Sequence, residues 1–274
     1  MKLGLVGLML LAAAVFAMPL GARAEVTSIT LLPGAGTNVS GNAGTSAPGF
    51  VSGSWQSPGV GGKSESYIAA STLFPTFGAV TINDLASISY WTNKSGTTAD
   101  VDWTFLIYTA PTGIGTGDVS PGYHSRLNAE PYFTQTPNAS VTANTWHEWT
   151  SGGANALLFY DQPRGGSFGT YADPTLADLQ AGTVTWGNSV TYDYRTSADT
   201  ISYFSLQTGS AWANGFNGLV DGMTITLKNG DVGIVNFEAT AAGAAVPLPI
   251  AAWMGISLVG GLGGFRGIKR LRSR

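Results

Sequence analysis

Asp100 and Asp102 stand two residues apart, so on a β-strand their carboxylates share one face. Neighbouring carboxylates of that kind suit Ca²⁺ coordination or an acid/base pair. A second chemistry-bearing stretch is Trp146-His147-Glu148-Trp149. Strand geometry puts Trp146 and Glu148 on one face and His147 and Trp149 on the other. An indole face stacks on a sugar ring, and a carboxylate beside it accepts from ring hydroxyls. Asp100, Asp102, Trp146 and Glu148 are thus the expected contacts for a glycan or Ca²⁺. A glycan-cleaving site would need two carboxylates across a groove, drawn from Glu130, Glu148, Asp102 and Asp193.

Other catalytic patterns fail on their surroundings. Gly165-Gly166-Ser167-Phe168-Gly169 matches G-x-S-x-G, but a nucleophile elbow needs a strand before the serine and a helix after it. Here a turn, Asp161-Gln162-Pro163-Arg164, precedes the serine and Pro174 delays the helix. Ser57 to Ser64 misses the first glycine of a P-loop. His147-Glu148 lacks the second histidine of H-E-x-x-H. Without cysteine, disulfides and thiolate metal sites are impossible, and two histidines are too few for the usual zinc ligand sets. The stepped pattern E-x-D-x-x-E of jelly-roll glucanases is absent, as are EF-hand and RTX repeats. The expectation is a non-catalytic protein without a cofactor, Ca²⁺ being the one ion its carboxylates would suit.

The chain has 274 residues, of which 44% are hydrophobic and only 11% charged. With 38 glycines and many Thr, Ser and Asn, this composition favours strands and turns with a neutral polar surface. All 16 acidic residues lie between Glu25 and Glu238, against six basic residues there, leaving that region at −10. Phosphate binding needs positive potential, so nucleic acid is not an expected partner. Such a surface fits a solvated module for neutral sugars or Ca²⁺.

The two ends are of a different kind. Residues 1–24 combine Lys2, an apolar run from Leu3 to Phe16, helix breakers Pro19 and Gly21, and Ala22-Arg23-Ala24. That is a secretory signal with an A-x-A cleavage site, leaving Glu25 first in the mature chain. At the other end, Val246-Pro247-Leu248-Pro249 precedes an apolar stretch, Ile250 to Phe265. Arg266, Lys269, Arg270, Arg272 and Arg274 follow, and no acid occurs after Glu238. The positive-inside rule places that basic cluster in the cytoplasm and the middle of the chain outside. An ordinary C-terminal anchor fits the same pattern. This tripartite tail resembles the VPLPA variant of PEP-CTERM sorting domains. The resemblance implies recognition by an exosortase, a membrane protease of exopolysaccharide-producing Gram-negative bacteria. Ile250 stands where the family usually has alanine, and Leu248 where the main form has glutamate.

Between the ends, β-branched and aromatic runs alternate with Gly, Pro, Asn and Asp clusters. About a dozen strands are expected, among them Val26–Leu32, Gly49–Trp55, Val101–Thr109, Ala156–Tyr160, Thr200–Thr208, Met223–Lys228 and Asp231–Phe237. A single helix is expected from Pro174 to Gln180, with Asp173 as its N-cap. Asn229-Gly230 predicts a two-residue hairpin loop pairing Lys228 with Asp231 and Ile225 with Ile234. Ile225, Leu227, Val232 and Ile234 would then share an apolar face. The fold expected is all-β, a two-sheet antiparallel sandwich over residues 25–241, flanked by a signal helix and, within 242–274, a transmembrane-type helix. Phe216 to Leu227 (FNGLVDGMTITL) resembles the closing strands of concanavalin A-like jelly rolls, which implies fold more than function. The expectation for function is an exported surface or matrix protein, processed by signal peptidase and an exosortase-like enzyme. Its sandwich would serve a structural, carbohydrate-contacting or adhesive role, with exopolysaccharide and, before processing, the membrane as partners. A glycan-active hydrolase or lyase is the alternative.

Overall fold

A computed structural model describes residues 24–34, 37–51, 53–59, 62–97, 101–111, 122–137, 140–165, 169–187, 189–195, 199–209 and 216–239. The expected signal segment before Ala24, Asp100, the expected sorting motif Val246-Pro247-Leu248-Pro249 and the basic cluster lie outside the described residues. Among the described residues no helix is long and apolar enough to cross a membrane.

The described chain is mostly β and forms a sandwich-like pair of sheets. The first sheet is organised around β13 (Leu219–Leu227). On one side of β13 lies β5 (Leu85–Asn93), followed by β8 (His147–Thr150). On its other side two strands lie end to end. β3 (Ser54–Gln56) flanks Leu219 and Val220, while β14 (Val232–Phe237) flanks Met223 to Thr226. β2 (Ser40–Asn42) borders β3, and β1 (Val26–Leu31) borders β14. β1 runs parallel to β14, which departs from the expected all-antiparallel pairing.

The second sheet runs β4 (Glu65–Ala69), β12 (Ile201–Gln207), β6 (Thr104–Thr109), β7 (Arg126–Ala129) and β9 (Tyr160–Asp161). A small hairpin of β10 (Thr183–Thr185) and β11 (Thr191–Asp193) stands apart. Among the described residues are also three short α-helices, α1 (Ala70–Leu73), α2 (Gln162–Gly165) and α3 (Leu176–Ala181), and a 3-10 turn at Ile82–Asp84.

The core lies between the two sheets. Tyr90 of β5 stacks on Phe105 of β6, centroids 6.1 Å apart, and Phe105 stacks on Phe204 of β12 at 6.2 Å. Trp55, Trp103 and Trp149 are buried with them, Trp55 edge-on to Phe237. The polar tips of Tyr90, Trp103 and Trp149 are satisfied, as burial of an indole or phenol favours, whereas Trp55 Nε1 is buried without a hydrogen-bond partner. Tyr90 donates to the Trp103 carbonyl and Trp103 Nε1 to the Gly218 carbonyl.

Two corrections concern turns. The hairpin pairs Thr226 with Val232, Thr224 with Ile234 and Ile225 with Gly233, one residue away from the expected register. The loop has three residues: Gly230 N–H donates to the Leu227 carbonyl, and Leu227 N–H to the Asp231 carbonyl. Gly230 takes φ +96°, whereas Asn229 is not among the positive-φ residues, so this is a type I turn closed by a glycine bulge. The shift turns Val232 and Ile234 away from the buried face that holds Ile225 and Leu227. Gly233 takes the inward place because Leu73 and Phe74 press on it; a Cβ there would meet them at 3.0–3.1 Å. Lys228 reaches Asn83 and not Asp231. The helix begins two residues later than expected. Thr175 is the N-cap and forms a reciprocal box with Asp178, while Asp173 accepts from Thr170 N–H. Pro174 lies outside the helix, its carbonyl accepting from Phe159 N–H.

Two buried carboxylates hold irregular points together. Asp221 sits where β13 changes neighbours and accepts from the backbone N–H groups of Ala47, Gly222 and Phe237 at 2.8–3.2 Å. Burial pushes its carboxyl up to about 7 against those bonds. Asp102 accepts from Thr92 Oγ1 and Trp103 N–H, both at 2.8 Å, and Trp149 Nε1 donates to the same Thr92 hydroxyl. Burial raises it to about 6, opposed by nearby Lys94.

Two outcomes are expected. Unfolded aspartates titrate near pH 3.9, so between about pH 4 and 7 the folded chain binds more protons than the unfolded one. Stability therefore falls across that window, and calorimetry will give a higher Tm at pH 5 than at pH 8. Asp102→Asn will shrink the difference, and a flat profile in the parent chain would refute the assignment. Gly230→Ala, forced to positive φ, will lose about 1 kcal/mol or more, read as a fall in Tm of at least ~2–4 °C.

Candidate functional site

The outer face of the second sheet carries polar and aromatic side chains in ordered rows. Alternation sends Phe105, Ile107, Leu127, Ala129, Phe204 and Leu206 into the core. Their neighbours Thr104, Leu106, Tyr108, Arg126, Asn128, Tyr203, Ser205 and Gln207 lie on the opposite face, where Tyr203 is exposed, Arg126 is half-buried and the others are buried. Register sets the rows. Tyr67, Ser205, Leu106, Asn128 and Tyr160 align across all five strands. Beside them run Ala69, Tyr203, Tyr108 and Arg126.

Along this face lies a shallow cavity of about 250 Å³, whose lining includes Lys63, Arg126, Asn128, Glu130, Tyr160 and Gln207. A belt of tyrosines extends from it. Tyr67 and Tyr203 are exposed and meet edge to face at 6.3 Å. Tyr67 also approaches Tyr108 at 5.7 Å, and Tyr108 approaches Tyr123 at 5.4 Å. Lys63 pairs with Glu65 at 2.5 Å, and Tyr67 donates to Glu65 at 3.1 Å. Gln207 donates to Tyr108 Oη and Ser205 Oγ. Tyr160 donates to Glu130 at 2.6 Å; burial raises the Glu130 carboxyl, opposed by that bond, and burial with the Glu130 charge raises the phenol.

A buried network behind the face fixes its far end. Asp161 accepts from Arg126 N–H at 3.2 Å, Arg164 at 2.5 Å and Tyr194 Oη at 2.6 Å. The Arg164 guanidinium also reaches Ser125 Oγ and His124 Nε2 and lies over the Tyr192 ring at 4.0 Å. Tyr192 donates to Asp199 at 2.5 Å. These groups satisfy one another and hold the segment that presents Tyr123 and Arg126.

The structure does not gather the residues singled out from sequence. Asp102 is sealed in the first sheet's interior, its two oxygens taken by Thr92 and Trp103. Trp146 is half-buried, with Nε1 donating to Thr45 Oγ1. Glu148 is exposed on β8, in the other sheet from the tyrosine face. His147 lies against Trp149, centroids 4.2 Å apart, and burial lowers its pKa. Asp193 is paired with Arg195 at 3.2 Å. Of the four pooled carboxylates only Glu130 borders the tyrosine face.

Glu65 and Glu130 stand at opposite edges of that face, on β4 and just after β7. Three interstrand steps of ~4.8 Å set their backbones ~14 Å apart. In the P-loop-like stretch, Ser57 and Ser64 are buried and bonded to each other at 3.0 Å, and Lys63 is committed to Glu65. A second cavity of about 510 Å³ lies between β10 and the 170–178 segment. Its two carboxylates already accept from local backbone, Asp173 from Thr170 and Asp178 from Thr175.

The tyrosine face was open to sequence reasoning in part. Tyr67, Tyr108 and Tyr203 fall on outward positions of predicted strands, but only strand order makes them neighbours. No family model matches this chain, and a search of curated proteins finds no match.

Proposed function

We propose that this is an exported, non-catalytic surface or matrix protein whose sandwich contacts carbohydrate through the outer face of its second sheet. The observation that carries this reading is the exposed pair Tyr67 and Tyr203, continued by Tyr108 and Tyr123 toward a shallow polar cavity that Lys63, Arg126 and Glu130 line. Flat aromatic rings cover the apolar faces of sugars, and amide and hydroxyl groups match their hydroxyl edges. The residues around 22–25 and 246–274 support export by signal peptidase and handling by an exosortase-like protease, with exopolysaccharide as the partner outside. A jelly-roll arrangement of the two sheets belongs to the same reading.

Tyr67 and Tyr203 are exposed, so their loss will leave folding intact. Tyr67→Ala and Tyr203→Ala are each expected to weaken glycan binding by about 1 kcal/mol, roughly fivefold in Kd, and the double variant by more. A glycan array followed by calorimetry on the exported protein measures this. Binding unchanged in the double variant would move the site elsewhere. Release of oligosaccharides that stops in Tyr160→Phe would instead favour a glycan-cleaving protein acting through the Glu130–Tyr160 pair.

A further inference from the structure

Arg126 differs from the other described basic residues. Lys63 is paired with Glu65, Arg164 with Asp161 and Arg195 with Asp193. Lys94 donates to the Val101 carbonyl and Lys228 to Asn83. The Arg126 guanidinium has no carboxylate among the described residues, and its Nε is buried without a hydrogen-bond partner. It lies 5.8 Å from the Tyr123 ring centre and lines the cavity with Asn128, Glu130 and Tyr160. A buried donor left unpaired is costly, and an acceptor brought to this guanidinium offsets that cost.

Resting on the carbohydrate reading, we propose that this groove takes a carboxylate-bearing glycan, a polyuronate, whose carboxylate meets Arg126. A guanidinium binds a planar carboxylate through two parallel N–H bonds. The neighbouring exposed tyrosines, Tyr67 and Tyr203, cover the ring. The site is thus anion-selective within a domain of net acidic charge.

The test compares binding of the full exported protein to polygalacturonate, to the same polymer after carboxyl reduction, and to dextran sulfate. Expected is at least tenfold tighter binding of the polyuronate than of the reduced polymer. Arg126→Gln will remove that preference and Arg126→Lys will retain part of it, with Tm measured on both to confirm folding. Equal binding of the polyuronate and reduced polymers overturns the proposal while leaving a neutral-glycan groove standing. Equal binding of dextran sulfate overturns the carboxylate assignment. Binding of none of the three overturns this proposal and the carbohydrate reading together.

A separate observation concerns the start of β1. Glu25 N–H donates to Asp231 Oδ1 at 2.7 Å, and Val232 N–H returns a bond to the Glu25 carbonyl at 2.8 Å. Asp231 is nearly buried, and its other oxygen accepts from Asn229. Cleavage after Ala22-Arg23-Ala24 would free this same nitrogen. We infer that processing converts the Glu25–Asp231 hydrogen bond into an ion pair that clamps β1 against β14. Hydrolysis of the Ala24–Glu25 peptide bond places the hydroxyl of water on the Ala24 carbonyl carbon and a proton on Glu25 N. A second proton from solvent gives the ammonium. This rests on the signal-peptide reading.

A chain starting at Glu25 (25–274), released from a cleavable tag, is compared with one carrying a Gly-Ser-Ala extension. A free α-amino group titrates near pH 7.7–8, and an adjacent carboxylate raises that value in the folded state. The added stability is fully present below about pH 7.7 and is lost as pH rises through the folded value. Expected is a Tm higher by ~1–4 °C at pH 6.5 for the chain starting at Glu25, fading toward pH 10. Asp231→Asn will abolish the gap. No gap at any pH, or one that survives in Asp231→Asn, overturns the inference. The mass of the exported product tests the cleavage site independently, so the two failures are distinguishable.

Discussion

The architecture hangs on β13 and on the carboxylate that lets it change partners midway. A strand flanked by β3 over one half and β14 over the other leaves backbone donors unpaired at the junction. Asp221 accepts three of them, from Ala47, Gly222 and Phe237, and so ties the 47 segment, β13 and the end of β14 to one point. An apolar residue there would leave buried amides without acceptors, which costs more than the carboxylate's own desolvation at a pH where it is partly protonated. From this joint outward, β5 and β8 extend the sheet on one side and β1 closes it on the other.

The second sheet is organised differently, and the difference bears on function. Its inner face contributes the Phe105 and Phe204 stack to the core, while its outer face is left to tyrosines, amides and hydroxyls. A half-buried sheet normally presents charged side chains to water. Here charge is sparse, and much of what exists is paired within the face, as Lys63 is with Glu65. Aromatic area in that setting does not stabilise the fold strongly, because Tyr67 and Tyr203 remain exposed. Such area is what a ligand with flat, weakly polar faces would use.

The buried Asp161–Arg164 network supports that face from behind. Two charges withdrawn from water are costly unless their remaining hydrogen-bonding capacity is filled. Tyr194, Ser125, His124 and the Arg126 backbone fill it. The consequence is a rigid edge at β7 and β9, so Arg126 and Tyr160 are held in place relative to the tyrosine belt.

Composition and alternation alone established an all-β chain, the approximate positions of most strands and the division into a greasy, basic tail and an acidic middle. These are local or additive properties, readable wherever side-chain polarity has period two. Sequence could not rank Asp102 and Glu148 correctly, because burial of one and exposure of the other depend on which sheet covers them. It misread the hairpin by one residue, since Asn-Gly serves both two- and three-residue loops. The choice fell to Gly233, which had to face inward where α1 packs, and that contact joins residues 160 apart in the chain. The tyrosine face, the lone guanidinium of Arg126 and the Glu25–Asp231 contact likewise belong to the tertiary structure. Each brings together strands distant in sequence, and strand order is set by the summed packing of both sheets, not by any segment's own preference.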